Sequence, residues 1–139
     1  MQLNSYLHFS GQCEEAFKFY EKCLGGKIDG LFRYDAAPPE ASQGTPAGWG
    51  NKIMHAHMII GDQVLMGMDA PPERFQKPQG FQVNIGVKTV AEGKKIFEAL
   101  SEKGNVIMPF RQTFWSPGFA MFVDRFGIPW MVNVEQQAA

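Results

Sequence analysis

The chain has 139 residues, of which 45% are hydrophobic and 19% charged, and its formal net charge at pH 7 is −1. This length fits one domain with its own core, and this composition excludes a disordered segment and a coiled coil. The near balance of 13 basic and 14 acidic side chains argues against partnership with nucleic acid or with a membrane surface. Twelve Phe, three Trp and eight Met favour a lined cavity in addition to a core.

Three features of the sequence indicate the cellular compartment of the protein. No apolar run reaches the roughly 20 residues of a membrane span, and Met1 to Asn4 lack the basic and apolar regions of a secretion signal. Cys13 and Cys23 fall on one predicted helix, about 15 Å apart at about 1.5 Å of rise per residue. Because a disulfide needs Cα atoms within about 7 Å, we expect two reduced thiols and a cytoplasmic protein.

The first half of the chain reads as a strand, a helix and three further strands. Hydrophobic periodicity and turn residues place these elements at residues 5–9, 13–24, 27–34, 52–60 and 63–68. The helix has acidic residues in its first turn, and Gly25-Gly26 follows its last turn as a stop signal.

The segment between the second and third strands, residues 36–50, is rich in Ala, Pro, Gly and Ser. Fifteen structureless residues inside a compact domain are typical of a lid or a disordered loop. If this segment docks on another protein, the chain is a partner-binding module.

The same order of elements recurs in the second half. Strands are predicted at 81–87, 105–110, 119–123 and 130–134, with a helix that ends at Gly104 behind a Thr89-Val90-Ala91-Glu92 capping box. Corresponding landmarks of the two halves, such as Leu7 with Ile85, lie 77 or 78 residues apart.

The chain is therefore predicted to be a single domain, residues 1–139, that contains a β-α-β-β-β unit twice. The first repeat covers about residues 3–69, the linker 70–80 and the second repeat about 81–135. The expected fold is α+β, with the two repeats forming a cup-shaped half-barrel.

Several short motifs follow one another along almost the whole chain. They are Tyr6-Leu7-His8-Phe9 with Cys13-Glu14-Glu15-Ala16, Phe19-Tyr20 with Leu24-Gly25-Gly26, Lys52-Ile53-Met54-His55-Ala56, Met108-Pro109 with Thr113-Phe114-Trp115, and Asp124-Arg125-Phe126-Gly127 with Trp130-Met131. With the duplicated unit, they resemble the vicinal oxygen chelate superfamily, which includes glyoxalase I, bleomycin-resistance proteins and extradiol dioxygenases, and more narrowly its PhnB-like family. The resemblance implies the glyoxalase-like fold and a homodimer. It does not fix a reaction, because the superfamily hosts several chemistries and pure binders.

The resemblance also implies metal ligands, His or Glu, at defined strand positions. Transferred to this chain, they fall on Asn4, Gln82, Met131 and a position near Gly67. None of these offers the imidazole or carboxylate that a borderline divalent ion requires. We therefore expect no metal cofactor at the usual place, although Asp69 and Glu135 are carboxylates close by.

The three histidines form an alternative candidate metal site. His55 and His57 are two apart on a predicted strand and point the same way, and His8 shares the parity of Asn4. Three converging imidazoles would bind a divalent metal and support lyase, isomerase or dioxygenase chemistry. Otherwise the histidines are polar groups that line a ligand site.

Further candidates come from arginine and tryptophan. Arg33 and Arg111 end corresponding strands, where they either clamp a carboxylate or phosphate or remain solvated. Trp115 lies in a turn-rich stretch that favours a pocket rim, whereas Trp130 either stacks on a ligand or packs in the core. Cys13, at a helix N-terminus, is a position where the thiol pKa can be lowered.

We predict a homodimer that binds a small, partly aromatic or amphipathic molecule. The predicted ligand-binding residues are Tyr6, His8, Arg33, His55, His57, Arg111, Trp115 and Trp130. The alternatives are a metal-dependent glyoxalase- or dioxygenase-type enzyme and the partner-binding module. A methyltransferase using S-adenosylmethionine is disfavoured, because the single Gly-x-Gly, Gly48-Trp49-Gly50, lies in the predicted loop rather than between a strand and a helix.

Overall fold

The computed structural model describes residues 1–42 and 44–136. Residue 43 of the predicted loop and residues 137–139 at the chain end lie outside the described part. The chain divides into two compact units, Met1–Gln76 and a second that starts at Lys77.

The first unit contains one four-stranded sheet and a helix that covers one of its faces. Its elements are β1 (Ser5–Phe9), α1 (Cys13–Leu24), β2 (Lys27–Arg33), α2 (Pro39–Ser42), β3 (Ile53–Ile60) and β4 (Gln63–Asp69). The strand order is β1-β4-β3-β2, with β1 parallel to β4 and the other neighbours antiparallel. The predicted strands agree with the observed ones to within about a residue at each end.

The apolar stripe of α1 explains its position on the sheet. Ala16, Phe17 and Tyr20 are buried on the helix, and the rings of Phe17 and Tyr20 contact the ring of Phe9 in β1 at centroid distances of 6.2 and 6.4 Å. Burying side chains of this size stabilises the fold by about 1.5–3 kcal/mol each. Gly25 ends α1 at a φ of 70°, in the left-handed region that glycine adopts without strain.

Asp69, at the end of β4, ties the start of α1 to the sheet. It is 1% exposed. Its Oδ1 accepts hydrogen bonds from the backbone N–H groups of Gly11 and Cys13, and its Oδ2 accepts one from that of Ile53, each at 2.9 Å. Asp69 therefore belongs to the covered side of the sheet, and the expectation that it supplies a spare carboxylate near a metal site is wrong.

The segment between β2 and β3 is more ordered than the sequence predicts. A 3₁₀ turn spans Tyr34–Ala36, and α2 follows it. Asp35 N–H donates to Gly50 O at 3.0 Å, which closes the base of the segment. The expectation of fifteen structureless residues is therefore wrong. Pro39 begins a helix here because proline's fixed φ suits the first helical position.

The second unit repeats this arrangement. Its elements are β5 (Val83–Val87), α3 (Val90–Leu100), β6 (Asn105–Arg111), β7 (Phe119–Val123) and β8 (Pro129–Val134). The strand order is β5-β8-β7-β6, and β5 is again parallel to β8. Thr89 accepts a hydrogen bond from Glu92 N–H at 3.1 Å, as the predicted capping box requires. The predicted α+β class, with two β-α-β-β-β units, is confirmed.

The helices in the described ranges, 1–42 and 44–136, are all too short or too polar to cross a lipid bilayer.

Candidate functional site

The face of the first sheet opposite α1, which we call the open face, carries rings and thioethers. Along β1, Leu7 and Phe9 are buried under α1, whereas Tyr6 and His8 are exposed on the other side. The open-face side chains are Tyr6 and His8 from β1, Met66 and Met68 from β4, His55 and His57 from β3, and Phe32 from β2. Apolar surface with a few polar atoms is the composition of a small-molecule site.

Tyr6 and His55 are joined across the open face. The Tyr6 hydroxyl lies 3.0 Å from His55 Nδ1, and their ring centroids are 5.7 Å apart. Burial raises the pKa of the Tyr6 hydroxyl. Tyr6 therefore keeps its proton at neutral pH and is a hydrogen-bond donor.

His57 is joined to a residue that the sequence analysis missed, Asp29. The pairing of β2 with β3 shifts between Ile28 and Gly30, so Asp29 is the extra residue of a β-bulge. This places Asp29 Oδ1 2.5 Å from His57 Nδ1, with the two side chains 36% and 31% exposed. The signal was present in the sequence, because Asp-Gly within a strand favours a bulge.

Gly30 and Phe32 shape the surroundings of this pair. Gly30 lies opposite His57, and a Cβ on Gly30 would come within 3.1 Å of the Phe32 ring and 3.5 Å of His57 Cβ. The missing side chain therefore keeps the surface beside His57 clear. Phe32, also missed by the sequence analysis, is 55% exposed and stacks on His55 with centroids 6.3 Å apart.

The three-histidine metal site is not formed. The Tyr6 ring contacts both His8 and His55, and His57 Nδ1 is engaged by Asp29. No three His, Cys, Asp or Glu side chains come together at metal-binding spacing within residues 1–42 and 44–136. The histidines of the open face thus do not fit a divalent ion as a ligand set.

The position near Gly67 that the family resemblance implied offers no metal ligand. A Cβ on Gly67 would lie 2.7 Å from the Phe17 ring, so Gly67 faces α1. Its neighbours Met66 and Met68 occupy the open face and offer thioethers. Glu135 is exposed beyond the end of β8. Hard or borderline divalent ions prefer imidazole and carboxylate ligands to the thioethers of Met66 and Met68.

Arg33 is already paired within the first unit. Its guanidinium donates to both carboxylate oxygens of Glu14, at 3.1 and 2.9 Å, and to Asn51 O at 2.8 Å. The hydrogen bond from Arg33 lowers the pKa of the Glu14 carboxyl. Three of the five N–H donors of the Arg33 guanidinium are therefore engaged by groups of the first unit.

The remaining predicted residues lie in the second unit and differ in burial. Arg111 is exposed at the end of β6. Trp115 is 43% exposed and packs edge-on against Phe119 at 5.1 Å. Trp130 is 1% exposed, and its indole N–H donates to Asp124 Oδ2 at 2.8 Å. Of the two predicted roles of Trp130, stacking on a ligand and packing in the core, the burial fits packing in the core. We therefore leave Trp130 out of the candidate ligand contacts.

Cys13 does not have the activated thiol that a helix N-terminus can produce. Burial raises the pKa of the Cys13 thiol, and the carboxylates of Asp69 and Glu14 raise it further. The thiolate is therefore disfavoured at neutral pH, and the expectation of a lowered pKa is wrong.

Comparison with known proteins places the chain in a family. The model of the "Glyoxalase/Bleomycin resistance protein/Dioxygenase superfamily" matches residues 2–132. Protein YjdN of Escherichia coli (strain K12) is 33% identical over 143 residues, which cover 99% of this chain and 97% of YjdN. The chain therefore belongs to the glyoxalase/bleomycin resistance protein/dioxygenase superfamily.

Two solved structures illustrate the likeness of the fold. Protein PA1353 from Pseudomonas aeruginosa is 40% identical, with a TM-score of 0.89 over 99% of each chain. A Bacillus cereus protein described as "Putative 3-demethylubiquinone-9 3-methyltransferase, PhnB protein" is 24% identical, with a TM-score of 0.79 over 96% of this chain and 99% of that one.

Proposed function

We propose that this chain is a PhnB-like small-molecule-binding protein of its superfamily, and that the open face of the first unit holds a small, partly aromatic or amphipathic ligand. The observation that carries the proposal is the grouping of Tyr6, His55 and Phe32 with the His57–Asp29 pair on a face that α1 leaves uncovered. Sequence motifs along the chain and the Bacillus cereus fold neighbour support the PhnB-like assignment.

The side chains of the open face define the class of ligand. The exposed Phe32 ring and the thioethers of Met66 and Met68 offer surface against which an aromatic ring can pack. The imidazoles of His55 and His57 offer polar atoms that orient a ligand through hydrogen bonds. A purely aliphatic ligand would form no hydrogen bond with these imidazoles, and a purely polar one would leave the Phe32 ring uncovered.

The proposal needs neither a bound metal nor methyl transfer. Residues 1–42 and 44–136 hold no group of three His, Cys, Asp or Glu side chains that fits a divalent ion, so no step is assigned to one. The connection between β1 and α1, Ser10-Gly11-Gln12, is not the glycine-rich turn that binds a dinucleotide-like cofactor. We therefore do not extend the methyltransferase description of the Bacillus cereus protein to this chain.

We also propose that the chain self-associates as a homodimer. Support comes from the edge strand β6, where Val106 and Ile107 are 44% and 52% exposed. An edge strand with exposed apolar side chains is a surface on which a second chain can pair.

Methyl NMR of protein carrying ¹³C-labelled methionine tests ligand binding. Met66 and Met68 lie on the open face, whereas Met58 is fully buried on the covered face and serves as an internal control. In a panel of aromatic and amphipathic metabolites and antibiotics, a binder is expected to shift the methyl signals of Met66 and Met68 and to leave Met58 unchanged.

A variant pair identifies the face that is used. The substitution His55→Ala removes an imidazole from the open face and is expected to weaken binding about fivefold to tenfold, the effect of a hydrogen bond with ring packing. The substitution Lys18→Ala on the exposed side of α1 is expected to leave the affinity unchanged. The proposal is wrong if every binder in the panel perturbs Met58 equally, or if no compound moves Met66 or Met68.

A further inference from the structure

The hydrogen-bond partners of two neighbouring imidazoles on the open face differ in kind. His57 Nδ1 faces the carboxylate of Asp29, whereas His55 Nδ1 faces the hydroxyl of Tyr6. Because the partner of one ring nitrogen decides whether that nitrogen carries the proton, it also decides whether the other nitrogen, Nε2, is a donor or an acceptor.

The carboxylate of Asp29 fixes the tautomer of His57. An ionised carboxylate only accepts hydrogen bonds, so Nδ1 of His57 must carry the proton in the 2.5 Å contact. In the neutral ring, Nε2 then holds a lone pair. His57 therefore presents a hydrogen-bond acceptor to the open face.

Tyr6 fixes the opposite tautomer in His55. A phenol is a stronger donor than it is an acceptor, and burial raises the pKa of Tyr6 so that its proton is retained. The Tyr6 hydroxyl therefore donates to His55 Nδ1 over 3.0 Å. The neutral ring of His55 then carries its proton on Nε2 and presents a donor.

The two imidazoles lie side by side. They are two residues apart on β3, so they share a face, and their ring centroids are 6.3 Å apart with planes inclined by 41°. Phe32 stacks on the ring of His55 at 6.3 Å and supplies an apolar flank.

We propose that His55 and His57 form a donor–acceptor pair that recognises a planar ligand with adjacent carbonyl and N–H groups, as in a cyclic amide. This inference rests on the proposed function and names the ligand class of the same site. The ligand carbonyl accepts from His55 Nε2–H, and the ligand N–H donates to His57 Nε2. A ligand with a methyl in place of that N–H leaves the His57 lone pair unpaired, which is the source of the selectivity.

The tautomers can be tested without any ligand. Long-range ¹H–¹⁵N NMR of histidine-labelled protein at about pH 8.5, where imidazole is neutral, is expected to show His55 protonated on Nε2 and His57 on Nδ1. The substitution Tyr6→Phe should abolish the preference of His55 and leave that of His57, and Asp29→Ala should do the reverse. The same tautomer in both rings would overturn the inference.

The ligand class can be tested with a matched pair of probes. We expect 2-pyridone, a six-membered aromatic lactam, to bind at least about fivefold more tightly than N-methyl-2-pyridone in a titration followed by the Met66 and Met68 methyl signals. The preference should fall to within about twofold in Asp29→Ala, which frees the tautomer of His57. Tyr6→Phe should weaken the binding of both pyridones and keep the preference, because the acceptor on His57 remains.

The outcomes separate the inference from the function on which it rests. Equal binding of the two pyridones overturns the donor–acceptor pair but leaves ligand binding on the open face intact. If neither pyridone binds while other members of the aromatic panel shift Met66 and Met68, the lactam assignment is again overturned and the proposed function stands. Failure of the whole panel counts against the proposed function itself.

Discussion

A single buried carboxylate, that of Asp69, secures the start of α1 to two strands. Its two oxygens accept three backbone hydrogen bonds, and the Tyr34 hydroxyl donates to Asp69 O at 2.6 Å. Gly11 precedes α1 and Cys13 begins it, and the first N–H groups of a helix have no acceptor within the helix. The stability of the unit should therefore depend strongly on this residue.

The substitution Asp69→Ala is expected to lower the free energy of unfolding by roughly 3–5 kcal/mol, because three N–H groups lose their acceptor at about 1–3 kcal/mol each with partial rescue by water. Urea denaturation measures the loss. The matched control, Asp62→Ala in the exposed β3–β4 turn, should change stability by less than about 0.5 kcal/mol. A loss below about 1 kcal/mol for Asp69→Ala would show that these hydrogen bonds are replaceable.

At the scale of elements, the packing of α1 on β4 depends on the missing side chain of Gly67. An added Cβ would lie 2.7 Å from the Phe17 ring and 3.0 Å from Leu7 O. The substitution Gly67→Ala is therefore expected to destabilise the protein by about 1–3 kcal/mol, the usual effect of overpacking. Gly86, in β5, has no atom within 4 Å of an added Cβ. The control Gly86→Ala should leave the urea midpoint unchanged or raise it slightly, and equal effects of the two substitutions would contradict the packing argument.

The ion pair between Glu14 and Arg33 joins α1 to the end of β2 and gives the fold a pH-dependent contact. Arg33 lowers the pKa of Glu14 in the folded state from its ordinary value of 4.5. A lowered pKa contributes stability above the unfolded-state value, and this contribution is lost as the pH falls through the folded-state value. Because both side chains are about one-third exposed, the contribution is small.

Comparison of Glu14→Gln with wild type should therefore show a loss of stability at about pH 7 that disappears near about pH 3. Glu15→Gln removes the same charge from the same helical turn, where the interaction with the helix dipole is similar. Urea denaturation of the two variants at both pH values separates the contribution of the ion pair to stability from that of the helix dipole. A larger loss for Glu15→Gln at pH 7 would contradict the assigned role of Arg33.

The elements follow from the sequence wherever the hydrophobic period is unbroken. Alternation in β1 and β3 predicted the shared face of His55 and His57 and placed His8 on the face opposite Leu7 and Phe9, because a period of two is a local property of a strand. The period fails at Asp29, where a bulge adds a residue to β2, so the partner of His57 could not be read from spacing. The burial of Trp130 depends on the packing of α3 and β8, which a single strand does not reveal.

At the scale of the whole molecule, duplication of the β-α-β-β-β unit predicted the fold more firmly than any single element. The two units share strand order and the parallel pairing of the first and last strands. They do not share site chemistry. The positions opposite Tyr6 and His8 in the register are Met66 and Met68, whereas β8 has Met131 and Asn133 opposite Asn84 and Gly86. A repeat therefore fixes topology, and the individual side chains of each copy decide what it can bind.

The proposed homodimer concerns the whole molecule, and the edge strand β6 is the interface that we propose for it. β6 is the last strand in the order of its sheet, and it exposes the apolar side chains of Val106 and Ile107. Light scattering coupled to gel filtration is expected to give about twice the chain mass of 15.6 kDa. The substitution Ile107→Lys places a charge on the edge and should shift the mass toward one chain, whereas Lys94→Ala on the exposed side of α3 should not. A specific dimer is populated at about 100 µM. A wild-type mass of one chain at that concentration would therefore refute the homodimer. A dimeric Ile107→Lys variant would exclude β6 as the interface of the dimer.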